Sequence, residues 1–364
     1  MTAEPRVSVV IATYERPASL ERLLRQLGAQ TLARDEFEVV VVDDGSTEAV
    51  ASRVQRLALP YALTVLTQEN GGAASARRRG IQAARADIVI VVDDDMQVGP
   101  GFVAAHLDAH PAGSRRAVLG WVRLDPAVAM PLFERQHARA LECLADDVMA
   151  GRWTLEGSNL YTGNVSFRRE DYLAVGGFDP SLGLSEDAEL GVRLEKAGVT
   201  LSFSETALGV HSSDHTSLEG WMRRAFEYGV WDLRISRKHA DVASASPWRF
   251  LFMVSPISRP LLLVSVLVPF LTRPLARVGA RVALAVDRLG SERLALAGAT
   301  FVYGLEYFRG VRGEAGSLAG AIADMRGHLR QRRAARRGDE TPAETARFRP
   351  APAEANAEVG RDCL

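Results

Sequence analysis

The chain has 364 residues, 47% of them hydrophobic, and a formal net charge of -1. That length and apolar content support one large α/β core with a smaller appendage and exclude disorder of the whole. The near-zero charge gives no global case for nucleic-acid binding, and two distant cysteines, Cys143 and Cys363, with no CxxC spacing, point to neither a disulfide framework nor a cysteine zinc site.

In chain order, Met1 to Arg6 runs straight into a strand pattern with no signal peptide before it, so a cytoplasmic active site is expected. Val7 to Ile11 reads as a strand. Leu20, Leu23, Leu24 and Leu27 then share one helical face behind Pro17, a good helix-entry residue. Phe37 to Val42, Tyr61 to Leu66 and Ile88 to Val92 read as further strands, with an Ala- and Arg-rich helix from about Ala73 to Ala84. This alternation predicts a mostly parallel, doubly wound sheet.

Parallel strands end on one side of a sheet, which brings three loops to the same edge: Ala12-Thr13-Tyr14-Glu15, Asp43-Asp44-Gly45-Ser46 and Asp93-Asp94-Asp95. A tyrosine can stack on a base and an aspartate can accept from a base N–H. Three adjacent carboxylates repel one another unless a counterion lies among them, and their oxygens suit Mg²⁺ or Mn²⁺; the alternative is an acidic turn facing water. Asn70 to Arg77 adds glycines, Gly72 among them, for close backbone approach, and in Arg77 a guanidinium suited to phosphate; a Gly-rich helix start is the plainer reading. No GxGxxG follows the first strand and no GxxxxGK[ST] occurs, which counts against dinucleotide oxidoreductases and P-loop enzymes.

Five ordered motifs between roughly Val7 and His215 resemble the inverting family 2 glycosyltransferases of the GT-A fold. They are Val7 to Arg16, Val42 to Ser46, Asn70 to Gly80, the DxD of Asp93 and Asp95, and the Glu186-Asp187 pair. The resemblance implies that Tyr14 and Asp44 contact the nucleobase, that Asp93 lies on the ribose side of the donor, and that Asp95 holds the divalent metal at the diphosphate. Ala12, Thr13, Glu15, Gly72, Arg77 and Asp94 complete the expected donor site, although relatives commonly carry Asn where this chain has Glu15. Tyr161 to Arg169 resembles the strand and loop beneath the sugar, with Gly163 and Asn164 facing sugar or acceptor beside Glu186; a buried structural turn is the other reading. By the same resemblance Asp187 is the general base and His211 a second metal ligand, whereas His215 has no motif support. Without it, Glu186 to Glu189 would be ordinary helix-start charges.

Trp221 to Gly229 reads as a basic, aromatic helix that borders an acceptor groove or docks on the sheet. Phe250 to Leu271 is apolar but carries Pro256, Arg259, Pro260 and Pro269, which favours broken helices on a membrane or in a hydrophobic lobe over a spanning hairpin. Ala295 to Phe308 is a further apolar stretch. Six arginines lie between Arg326 and Arg337, before Pro-, Ala- and Glu-rich sequence. The expected organisation is a GT-A catalytic domain over residues 1–235, a hydrophobic helical appendage over 236–325 with peripheral or partial membrane contact, and a disordered tail over 326–364. The expected activity is metal-dependent transfer of a sugar from a nucleoside-diphosphate donor to a hydroxylated acceptor: a lipid-linked intermediate, a glycan or a small metabolite. A nucleotidyltransferase and a catalytically silent glycan-binding or scaffold protein are the alternatives; no nucleic-acid partner is expected, and the sequence does not fix the oligomeric state.

Overall fold

The computed structural model describes residues 4–338 except 49, 126, 129 and 212–216, with side chains to residue 333. Expectations for His215, for the two cysteines as a pair, and for the sequence beyond 338 lie outside the described residues. The chain forms two compact units. One comprises Met1–Val128, Leu155–Leu182 and Glu186–Asp214, the other Ala129–Thr154, Gly183–Ser185 and His215–Leu364.

The first unit is built on eight strands: β1 (Val7–Thr13), β2 (Phe37–Asp43), β3 (Ala62–Thr67), β4 (Ile88–Val92), β5 (Met96–Val98), β6 (Arg116–Leu124), β7 (Asn164–Arg168) and β8 (Thr200–His211). Their order in the sheet is β3-β2-β1-β4-β7-β6-β8-β5. The β3-β2-β1-β4 part is parallel; β7 runs antiparallel between β4 and β6, β8 is parallel to β6, and β5 antiparallel to β8. Helices α1 (Pro17–Leu27), α2 (Val50–Val54), α3 (Ala73–Ala83), α4 (Phe102–Asp108), α6 (Arg169–Ala174) and α7 (Glu186–Lys196) belong to the same unit, numbered through the whole chain.

Alternation along β1 separates two cores: Val7, Val9 and Ile11 pack with the four leucines of α1, while Val10 packs with Ala76 and Ile81 of α3. Gly80 lets α3 lie close on the sheet, because a Cβ there would fall 2.5 Å from Val10 Cγ1. Register aligns Thr13 with Asp43 and Asp43 with Thr67, so the loops after β1, β2 and β3 leave one edge together.

The second unit is helical, with α5 (Leu132–Met149), α8 (Leu218–Lys238), α9 (Trp248–Met253), α10 (Ser258–Leu267), α11 (Pro269–Arg288), α12 (Glu292–Glu314) and α13 (Leu318–Gly338). The apolar stretch from Ala295 to Phe308 lies within α12, which supplies Val302, Leu305 and Phe308 to a core shared with Trp221 and Trp248. The expected boundary at 235 falls inside α8, whose buried residues Trp221 and Met222 belong to this helical core, so the compact units divide the chain differently.

Phe250 to Leu271 is broken into parts of α9, α10 and α11. Pro260 sits in the first turn of α10 and Pro269 opens α11, where a missing N–H costs no helical hydrogen bond. Arg259 donates to the carbonyls of Phe252 and Val254 at 2.9 and 3.3 Å. No helix among the described residues is long and apolar enough to cross a membrane. The expectation of a disordered tail from 326 is corrected in its first part: residues up to 338 continue α13, an Arg- and Ala-rich run of good helix formers.

Candidate active site

The loop after β1 leaves Tyr14 49% exposed and turns at Glu15 with φ 55°. That left-handed conformation favours Asn among non-glycine residues, which gives the departure at this position a physical meaning. Glu15 is held by the β2 loop: its Oε1 accepts from Thr47 N at 2.7 Å and Thr47 Oγ1 at 2.6 Å, and its own N–H donates to Ser46 Oγ at 3.0 Å. Asp44 is buried and collects three donors, Gln68 Nε2 at 2.8 Å, Gly71 N at 2.9 Å and Gly72 N at 2.8 Å, so it fixes the start of α3 against the β2 loop. Gly72 takes φ 86°, open to glycine without strain.

The three consecutive aspartates have separate fates. Asp93 is partly open, Asp94 and Asp95 are buried. Asp94 accepts from Thr13 Oγ1 at 2.7 Å and Arg16 Nη1 at 3.2 Å; burial pushes it up to about 6, with the Asp95 charge adding and Thr13 and Arg16 opposing. Asp95 Oδ2 accepts from Arg16 Nη1 at 2.8 Å. Its Oδ1 is buried without a directional hydrogen bond and lies 3.3 Å from Nε2 of His211. Pairing of Met96 with His211 across β5 and β8 brings that imidazole beside the run. Burial alone would raise Asp95 and lower His211. Their mutual attraction prevails, with Arg16 adding for Asp95 and Asp93 for His211, and keeps the carboxylate below and the imidazole above its ordinary value.

An unbonded buried carboxylate oxygen beside an imidazole nitrogen is a fitting donor pair for a divalent cation of the Mn²⁺ type. Among the described residues no group of three or more His, Cys, Asp or Glu side chains forms a metal shell, so these two residues leave coordination positions for oxygens of a bound ligand or water.

Helix α7 opens with Glu186 and Asp187. Asp187 Oδ1 accepts from Ala188 N at 2.8 Å, and the Thr162 backbone N–H also favours its charge. Burial nevertheless raises Asp187 to about 7, helped by the neighbouring charge of Glu186 and resisted by Arg77. Arg77, itself buried, bridges the two sides: Nη2 donates to Asp93 Oδ1 at 2.7 Å and Nη1 to Glu186 Oε1 at 3.2 Å. Gly163 backs Asp93, whose N–H donates to the Gly163 carbonyl at 3.2 Å. A Cβ on Gly163 would come within 3.2 Å of Asp93 Oδ2.

Four expectations need correction. Asn164 faces no acceptor: it is fully buried, its amide donates to the Ala207 and Trp121 carbonyls at 2.8 and 3.2 Å, and its Oδ1 meets His106 Nε2 at 2.8 Å. Thr13 and Asp94 are buried against each other and support the loop from behind. Arg77 is committed to two carboxylates and acts as their counterion instead of standing free for phosphate. Sequence reasoning also missed Arg16, the counterion of Asp94 and Asp95, although it ends the motif Val7 to Arg16, and the buried His106, which burial lowers to about 4.

The family model for glycosyl transferase family 2 matches residues 8–172, a span that holds the first three loops, the aspartate run and Gly163; Asp187 and His211 lie beyond it. The validoxylamine A glucosyltransferase of Streptomyces hygroscopicus subsp. jinggangensis is 34% identical over 238 residues, covering 57% of this chain and 56% of that protein, so the chain spans little more than half the length of this curated relative. The N-acetylglucosaminyl-diphospho-decaprenol L-rhamnosyltransferase of Mycobacterium tuberculosis is 30% identical over 239 residues, covering 57% of this chain and 76% of that protein. A solved mannosyltransferase of Pyrobaculum calidifontis, in complex with GDP-Man and Mn²⁺, shares the fold with a TM-score of 0.50 and 21% identity over 89% of this chain and 88% of its own. The matched segment and the extent of the mycobacterial relative agree with the sheet and its loop-lined edge: the chain belongs to glycosyltransferase family 2.

Proposed function

We propose that the protein is an inverting glycosyltransferase that moves one sugar from a nucleoside-diphosphate donor to a hydroxylated acceptor. The observation that carries this reading is the pairing, through Arg77, of Asp93 beside the Asp95–His211 donor pair with Glu186, the immediate neighbour of Asp187. In this reading Tyr14 stacks on the base, the Asp44-bound loop at Gly72 shapes the nucleoside pocket, and Asp93 takes the ribose. Asp95 and His211 would hold the divalent cation, which supplies charge neutralisation for the departing diphosphate.

Asp187 accepts the acceptor hydroxyl proton as that oxygen attacks the anomeric carbon. The new glycosidic C–O bond forms on the face opposite the breaking bond to phosphate, so the configuration inverts and the nucleoside diphosphate leaves with the electron pair. Gly163 keeps the space beside Asp93 clear. The relatives' names cover glucosyl transfer to a small metabolite and rhamnosyl transfer to a lipid-linked sugar, which supports either acceptor class. A cytoplasmic active site, with peripheral contact to the inner face of the cell membrane, belongs to the same reading.

Calorimetric titration of UDP, GDP and dTDP with Mn²⁺ present and then chelated tests the donor site. One nucleotide is expected to bind, only with metal, and to lose binding in Asp95→Ala. Metal-independent binding, or equal binding by the variant, would refute the assignment.

A further inference from the structure

We propose that α11 is a docking surface for an anionic lipid bilayer. The helix carries three sets of residues where a surface helix of a globular domain needs two. Thr272, Ala276, Ala280 and Ala283 are buried. Leu271, Leu275, Val278 and Val282, with Leu289 just past the last turn, are large, apolar and exposed, Leu289 at 85%. Arg273, Arg277, Arg281 and Arg288 form an exposed third row. At about 100° per residue the three rows point roughly 120° apart, so the apolar row is a separate stripe along the helix and not the margin of the buried one.

Exposed apolar side chains scattered singly need no explanation; a continuous stripe at helical spacing does. Exposed Phe270, at the start of the same helix, and Leu261 and Leu267 of α10 extend its apolar character. The arginine row selects the occupant. Arg277 forms an exposed pair with Glu219 at 3.1 Å, whereas Arg273, Arg281 and Arg288 have no ion-pair partner among the described residues. The acid nearest the end of the helix, Asp287, is already held by Arg135 at 2.7 Å.

A second copy packed antiparallel on the stripe about a two-fold axis would bring like-charged arginine rows together. An anionic bilayer satisfies both rows: the apolar side chains enter the acyl boundary while the arginines reach phosphate groups at the interface. The helix lies on the membrane and does not cross it, in keeping with the absence of a spanning helix among the described residues. The inference gives a surface and a lipid charge to the membrane contact proposed above.

Flotation of the full chain with vesicles tests it, because binding is read without turnover. Vesicles containing phosphatidylglycerol should carry the protein and pure phosphatidylcholine vesicles should not. The combined variant Arg273→Gln, Arg281→Gln, Arg288→Gln should lower partition roughly a hundredfold at low salt. Val278→Glu with Val282→Glu should abolish it. Nucleotide titration and thermal melting of both variants should match the parent, which separates failure of this inference from failure of the donor site. No flotation with anionic vesicles, or equal flotation with both lipids, would overturn the proposal. So would a solution dimer that the Val278→Glu, Val282→Glu variant converts to monomer, since the stripe would then join two copies of the chain.

Discussion

Asp187 is a carboxylate that folding holds partly protonated near neutral pH, because burial and the Glu186 charge outweigh the two backbone N–H groups and Arg77. Its folded value of about 7 lies above the model-peptide value of 3.8, so the native state binds the proton more tightly than the unfolded chain and loses stability as pH rises between the two. Asp187→Asn removes that loss. We expect its melting temperature to exceed the parent's by a few degrees at pH 8 and the gain to shrink toward pH 5, while turnover falls about 10²–10⁴-fold and nucleotide binding persists. A gain independent of pH would contradict the assigned cause. The sequence shows which acids lie at the sheet edge, but not how Asp93-Asp94-Asp95 divide: the run lies past the end of β4, where strand alternation no longer applies, and Arg16 holds both Asp94 and Asp95 while Arg77 holds Asp93. It does not reveal that Asn164 spends its amide on His106 and two carbonyls, because those partners come from elements remote in the chain.

At the scale of elements, the contact between α8 and α12 depends on two glycines. A Cβ at Gly229 would fall onto the Tyr307 carbonyl, and one at Gly310 onto the carbonyl of Phe226. The helices therefore touch backbone to backbone, and Gly310→Ala must push them apart. A cost of about 3 kcal/mol is expected, read as a lower urea midpoint; a change within about 0.5 kcal/mol would mean the pair separates freely. Strands β1 to β4 and helices α1 and α3 were legible because β-branched runs and the leucine spacing of α1 have unambiguous periods. The breaks at Pro260 and Pro269 were legible for the same local reason. The extent of α13 was not, since an arginine-rich run reads equally as a solvated helix or as an unstructured tail.

For the molecule as a whole, family membership follows from the order and spacing of loops on a sheet edge, whereas donor and acceptor identity depend on pocket shape that no local pattern encodes. Arg77 adds a consequence for the catalytic cycle. One cation serves Asp93 on the donor side and Glu186 on the base side, so a ligand that engages one acid alters the guanidinium's hold on the other. If a bound ribose engages Asp93, more of the guanidinium field turns to Glu186 and Asp187, and the base gives up its proton more readily. By reciprocity, nucleotide affinity should then strengthen as pH rises through about 7 in the parent but not in Asp187→Asn; parallel pH profiles for the two would show the sides to be independent. In the proposed transfer, such wiring would arm the base only after the donor has arrived, which guards against an activated acceptor waiting beside an empty site.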